Sequence, residues 1–212
     1  MVRVYAARIP GMGYSHAEQS KWAYRLLDMA VTETYPEIGA PVFVEKDEYG
    51  KPFPKDYPEL HISISHSGSF VACAVGEKPV GVDLEVWKNR RNREGVLRRF
   101  HLKEQSWFCG VPEEQKLEAF HDLWVVKESF IKAMGKGLRI PLDAFCVNVK
   151  VGKTVCVRQE LSEEPYYCRL YPLQQEALSL AVCSEDKELA EQLIWLTLPQ
   201  EFSETEESEQ KE

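Results

Sequence analysis

Between Val80 and Val86 the chain alternates apolar and acidic residues, Val-Gly-Val-Asp-Leu-Glu-Val, with the period of two that marks a half-buried strand. Val80, Val82, Leu84 and Val86 share one face, and Asp83 and Glu85 project from the other. At strand rise the two acidic Cα atoms lie about 7 Å apart, near enough for both carboxylates to hold one divalent cation, with Gly81 leaving room beside them. A solvated strand face would carry the same pattern. Upstream, residues 2–8 suit a short strand closed by the Pro10-Gly11 turn. Ser15 and Glu18 form a capping box that opens a helix through Trp22, Leu26, Met29 and Val31, ended by Pro36.

Residues 42–45 predict another strand, leading into a loop rich in Gly and Pro in which Lys51 stands between Gly50 and Pro52, either as a turn lysine or as a phosphate clamp. Residues 61–75 read as a β-hairpin: a strand from His61, a tight polar turn Ser65-His66-Ser67-Gly68, and a second strand Ser69–Val75. That run could present donors to an anion, or could serve only as turn formers. Two helices are predicted over 102–109 and 112–134. The longer one carries Leu117, Phe120, Trp124, Ile131 and Met134 at spacings of three and four. Glu128 and Lys132 lie one turn apart at the edge of that stripe, as a surface pair or a partly buried one. Gly135 stops the helix, and short strands are predicted over 144–151, 154–159, 168–171 and 177–183, with a final helix or strand over 186–195.

A helix, a Gly-Lys loop and strands ending in Ala-Val occur twice in this order. The expectation is an α+β fold of two pseudo-duplicated halves, residues 1–79 and 80–199, with the active site at the interface between them. Residues 200–212, with six glutamates against Lys211, supply −5 of the formal net charge of −8 and read as a disordered acidic tail. The segment 88–99 departs from this acidic balance: six cations oppose Glu94, which points to a negatively charged partner more readily than to a solvated face. Nucleic acid would call for a basic balance over the whole domain. No run is long and apolar enough to cross a membrane and no export signal opens the chain, so a cytoplasmic protein is expected, and it is taken as a monomer. The six cysteines lack C-x-x-C spacing and read as reduced, mostly buried thiols.

Asp83, Glu85 and Glu128 with Lys132, Lys51 and the Ser-His run describe a hard-cation site for a polyphosphate, since Mg²⁺ takes carboxylate and phosphate oxygens and the cations offset leaving-group charge. The order G-K-P (50–52), I-S-H-S (64–67), G-V-D-L-E (81–85), W-V-V-K-E-S-F-I-K (124–132) and G-K-G (135–137) resembles the 4′-phosphopantetheinyl transferases of the larger, surfactin-synthetase-activating type. The resemblance covers about residues 14–185 and implies coenzyme A bound between the halves. It also implies transfer of phosphopantetheine to a carrier-protein serine, with release of 3′,5′-adenosine bisphosphate. By that resemblance Asp83, Glu85 and Glu128 would hold Mg²⁺, with Mn²⁺ as a substitute. Glu128 would take the serine proton, directly or through a metal-bound water, and Lys132 would neutralise the leaving charge. Lys51, Ser65, His66 and Lys132 would grip coenzyme A, and an acyl or peptidyl carrier protein would dock on 88–99. The rival readings are a module that binds carriers or coenzyme A without turnover, and a metal-dependent hydrolase of coenzyme A.

Overall fold

Alternating apolar positions build two four-stranded sheets, beside two small two-stranded ones, and two long helices cover the outer faces of the larger pair. The computed structural model describes residues 1–11, 13–89 and 92–200, the side chain of Leu138 excepted. The acidic tail therefore lies outside the described residues, except for Gln200. In chain order the elements begin with β1 (Arg3–Arg8), α1 (His16–Thr34), β2 (Val44–Lys46), β3 (Pro52–Pro54), β4 (His61–Ser67) and β5 (Phe70–Gly76). There follow β6 (Val80–Val86), α2 (Arg93–Leu97), α3 (Leu102–Cys109), α4 (Lys116–Met134), β7 (Phe145–Cys146) and β8 (Thr154–Cys156). The last are β9 (Arg158–Gln159), β10 (Tyr167–Tyr171), β11 (Leu178–Ser184) and β12 (Ile194–Trp195).

The first sheet has the order β12-β1-β5-β4 and the second β6-β11-β10-β8. Each holds an antiparallel trio, β1-β5-β4 and β6-β11-β10, and in each a 19-residue helix intervenes along the chain between the trio's first strand and the other two. The sheets back onto each other. Val4, Ala6, Ala72 and Ala74 of the first meet Val82, Leu84, Leu180 and Val182 of the second in a shared apolar layer. On the outer faces, Trp22, Leu26, Leu27 and Val31 of α1 pack over the first sheet, and Val126, Phe130, Ile131 and Ala133 of α4 over the second. The chain then returns: β12 pairs in parallel with β1 and Leu198 joins the α1 core, so a division at Pro79 leaves this last strand with the first half.

Local chemistry explains the helix ends. The capping box forms in full, with Ser15 Oγ accepting Glu18 N and Glu18 Oε2 accepting Ser15 N. Gly135, at φ 72°, closes α4 in the left-handed conformation that suits glycine. Three expectations change in the structure. The run Ser65-His66-Ser67 belongs to β4, leaving only Gly68 and Ser69 between the paired ends of the hairpin, because the serines alternate as strand residues do. Helix α4 buries twelve of its 19 residues, far beyond a single stripe, since a sheet, α3 and β7 cover it. Half of the cysteines are buried (Cys73, Cys168 and Cys183), whereas Cys109 and Cys156 are exposed; all six are free thiols.

Candidate active site

With Val82 and Leu84 committed to the shared layer, pleating turns Gly81, Asp83 and Glu85 toward α4. The room beside Gly81 is taken by that helix. A Cβ there would stand 2.1 Å from Ser129 O and 2.4 Å from Ala133 N, so glycine is what lets β6 and α4 touch. One turn further along the helix, Lys132 reaches across to the strand. Its Nζ donates to Asp83 Oδ1 at 2.8 Å, Val82 O at 3.0 Å and Ile64 O at 3.4 Å, thereby touching both β6 and β4. Lys132 thus pairs across the fold with Asp83.

The strands β4 and β6 meet through hydroxyls. Ser63 Oγ accepts Val82 N, Ser65 Oγ accepts Leu84 N and Ser67 Oγ accepts Val86 N, at 3.0–3.1 Å. Ser65 and Ser67 then donate to Asp83 Oδ1 and Glu85 Oε2, each at 3.0 Å. Both acids of the strand are therefore held by a serine that also closes the strand's edge. Ser65, expected at a coenzyme A phosphate, spends its proton on Asp83. His66 turns to α1: its Nδ1 lies 2.9 Å from Gln19 Oε1 and its ring meets His16 edge-on. Burial holds the His66 imidazole below its ordinary pKa, with His16 and Lys132 adding to the effect.

A cavity of about 220 Å³ opens between β4 with the Lys51 loop and α4, lined by Lys51, Ser63 and Ile64 from one side and Glu128, Ile131 and Lys132 from the other. Lys51 Nζ donates to Ala133 O at 2.9 Å, where a cation offsets the negative end of α4. Burial pushes the Lys51 ammonium down to about 8, against the pull of Asp47 and Glu185. Asp83 moves the other way: burial raises its carboxyl although Lys132 opposes the rise. Its Oδ2 is buried with no hydrogen-bond partner. A buried carboxyl oxygen left without a hydrogen bond in this way is a hard donor of the kind Mg²⁺ takes, and Glu85 and Glu128 are of the same chemistry. Among the described residues no three His, Cys, Asp or Glu side chains are gathered as a metal cluster.

Beyond Asp83, Glu85 and Glu128, two features escape a reading of residue types. Gln19, the partner of His66, had no motif to mark it; the serine ladder did, in the alternation of I-S-I-S-H-S. On the opposite flank of α4, Lys127 is fully buried and donates to Glu104 Oε1 and Oε2 at 2.9 and 2.7 Å and to Phe145 O at 3.1 Å. Glu104 also accepts Val147 N and His101 N, so this pair ties α3 and β7 to the helix that carries Glu128 and Lys132. Of the basic segment, Arg93 lies near Glu113 and Arg98 near Glu94, while Arg90 and Arg91 fall outside the described residues.

The family model of the 4′-phosphopantetheinyl transferase superfamily matches residues 79–183. A 4′-phosphopantetheinyl transferase of Bacillus subtilis is 37% identical over 160 residues, covering 75% of this chain and 70% of that protein. The 4′-phosphopantetheinyl transferase Sfp of Bacillus subtilis (strain 168) is 32% identical over 81% of this chain and 76% of its own length. The 4′-phosphopantetheinyl transferase gsp of Aneurinibacillus migulanus is 32% identical over 77% and 70%. Identity at this level over most of both chains, together with an α+β fold that lines one cavity with Glu128 and with Lys132 in its pair with Asp83, shows that the chain belongs to the 4′-phosphopantetheinyl transferases of the Sfp type.

Proposed function

We propose that this chain transfers the 4′-phosphopantetheine group of coenzyme A to a serine hydroxyl of an acyl or peptidyl carrier protein and releases 3′,5′-adenosine bisphosphate. One observation carries the reading: Lys132, paired with Asp83, lines the same inter-half cavity as Glu128 and Lys51. Mg²⁺ held by Asp83, Glu85 and Glu128 would neutralise charge on the pyrophosphate. Lys51 and His66 bind and orient the coenzyme A phosphates, and Ser65 keeps Asp83 aimed at Lys132. Glu128 accepts the proton of the carrier serine as its oxygen forms a bond to the β-phosphorus. The bond from that phosphorus to the bridging oxygen breaks, and Lys132 offsets the charge left on the departing bisphosphate.

The matching trios β1-β5-β4 and β6-β11-β10 support a duplicated unit, residues 1–79 and 80–199 apart from the return of β12 to the first sheet, with the site where the units meet. Arg93, Arg98 and Arg99, with Lys88, offer an acidic carrier helix a salt-dependent landing. The enzyme is taken to act as a cytoplasmic monomer; among the described residues no helix is long and apolar enough to span a membrane. Incubation with coenzyme A, Mg²⁺ and a panel of apo carriers from fatty acid, polyketide and peptide synthesis tests the reading. Mass spectrometry should show one carrier gaining a single phosphopantetheinyl group, and the gain should vanish on chelation. No gain on any carrier would favour a binding module; bisphosphate release without a carrier would favour hydrolysis.

A further inference from the structure

A second, larger cavity of about 590 Å³ lies behind α4, sharing no lining residue with the first. Its walls come from α3, β7, β8 and the segment between the strands: Trp107, Leu123, Val147, Val149 and Val155 supply apolar surface, and Lys103 and Arg158 supply charge. Volume and lining fall in the range of sites for small organic ligands. Neither Lys103 nor Arg158 has an ion-pair partner among the described residues. The one acid in the wall, Glu104, is 2% exposed and spent on Lys127, Val147 N and His101 N, so it does not repel an anion. Both cations bear on the Cys146 thiol in the same wall, where burial and Glu104 raise the pKa and Lys127, Arg158 and Lys103 pull against the rise.

We propose that this cavity binds a single-headed anionic amphiphile, a medium- or long-chain carboxylate with its tail along Val147, Val149 and Val155 and its head between Lys103 and Arg158. Two unpaired cations beside five apolar side chains match that ligand in both charge and shape, Glu104 being spent on Lys127 and Asn148 the remaining polar residue of the wall. The site is independent of the transfer chemistry, so binding is measured without coenzyme A or a carrier.

Decanoate is the probe, titrated by calorimetry against the full chain, with decanol as the uncharged control. Saturable decanoate binding is expected, with decanol weaker by about tenfold or more, as loss of a charge-assisted contact implies. Arg158→Glu and Lys103→Glu should each weaken decanoate to the same degree, and Val155→Trp should block it by filling the space. Position is read by thiol alkylation: Cys146 and Cys156 line the cavity, whereas exposed Cys109 does not. Decanoate should slow labelling of Cys146 and Cys156 and leave Cys109 unchanged. Absence of saturable binding, equal binding of decanol, or protection of Cys109 alone would each overturn the proposal. Arg158 and Lys103 are exposed, so their variants should fold, and a circular dichroism spectrum matching the parent checks that they do.

Discussion

Replacing Gly81 by alanine tests how far the site depends on the contact between β6 and α4. The added methyl would sit 2.1 Å from Ser129 O, 2.4 Å from Ala133 N and 2.8 Å from Lys132 Cβ. Two of these are backbone atoms, so no rotamer change relieves them, and α4 must withdraw by about 1 Å. Overpacking of this kind costs roughly 1–3 kcal/mol. The same movement draws Lys132 away from Asp83, now 2.8 Å apart, and moves Glu128 with it. A misplacement near 1 Å in a catalytic group costs on the order of 10²-fold in rate. Urea denaturation gives the stability, and single-turnover transfer at a temperature where the variant is folded gives the rate. Gly39→Ala is the control, since its Cβ would meet nothing within 4 Å. If Gly81→Ala matched the control in stability and the parent in rate, the close approach of helix and strand would not be what sets the site.

The remaining expectations concern charge. Lys127→Met leaves the Glu104 carboxylate buried and uncompensated, a loss of about 3–5 kcal/mol, and adding Glu104→Gln should restore part of it in thermal denaturation. Lys51 in the free enzyme loses its proton near pH 8, below the ordinary lysine value, because its charged form is desolvated. A bound phosphate would restore that charge, so coenzyme A affinity should be full below about pH 8 and fall up to about tenfold per pH unit above it. In Lys51→Met the affinity should be weak and lack that fall; a parent profile flat to pH 10 would remove Lys51 from the binding site. Replacing Arg93, Arg98 and Arg99 by glutamate should raise the carrier KM and abolish or invert its rise with salt, while leaving the coenzyme A KM unchanged.

Much of this was legible because it rests on periodicity. The alternation of 80–86 sends Val82 and Leu84 to one face of β6 and Asp83 and Glu85 to the other, and the Ser15–Glu18 box and the Gly135 stop mark helix ends within a residue or two. What stayed hidden depends on contacts between residues far apart in the chain. Glu128 and Lys132 share a helix flank, but the partner of Lys132 is 49 residues away on β6. Gly81 shows in sequence only that a side chain is missing; which backbone fills the gap is a tertiary fact. The serines of β4 look like turn formers because Ser and Gly dominate turns. Their alternation outweighs composition once a strand edge is there to receive them. Lys127, inside an apolar run, gave no sign that Glu104 would be buried with it.

The ladder between β4 and β6 also bears on how the two sheets find their alignment. Serines at 63, 65 and 67 repeat at every second residue, and so do the edge N–H groups of β6 that they receive. Hydroxyls alone would accept a partner strand displaced by two residues with the loss of a single rung, much as one ruler can slide along another and still match its marks. Lys132 removes that degeneracy. It spans Ile64 O, Val82 O and Asp83 Oδ1 at once, and only the unshifted alignment offers all three. The lysine proposed for the chemistry is thus also the index mark that fixes β4 against β6, and a misaligned molecule lacks the Lys132–Asp83 charge pair.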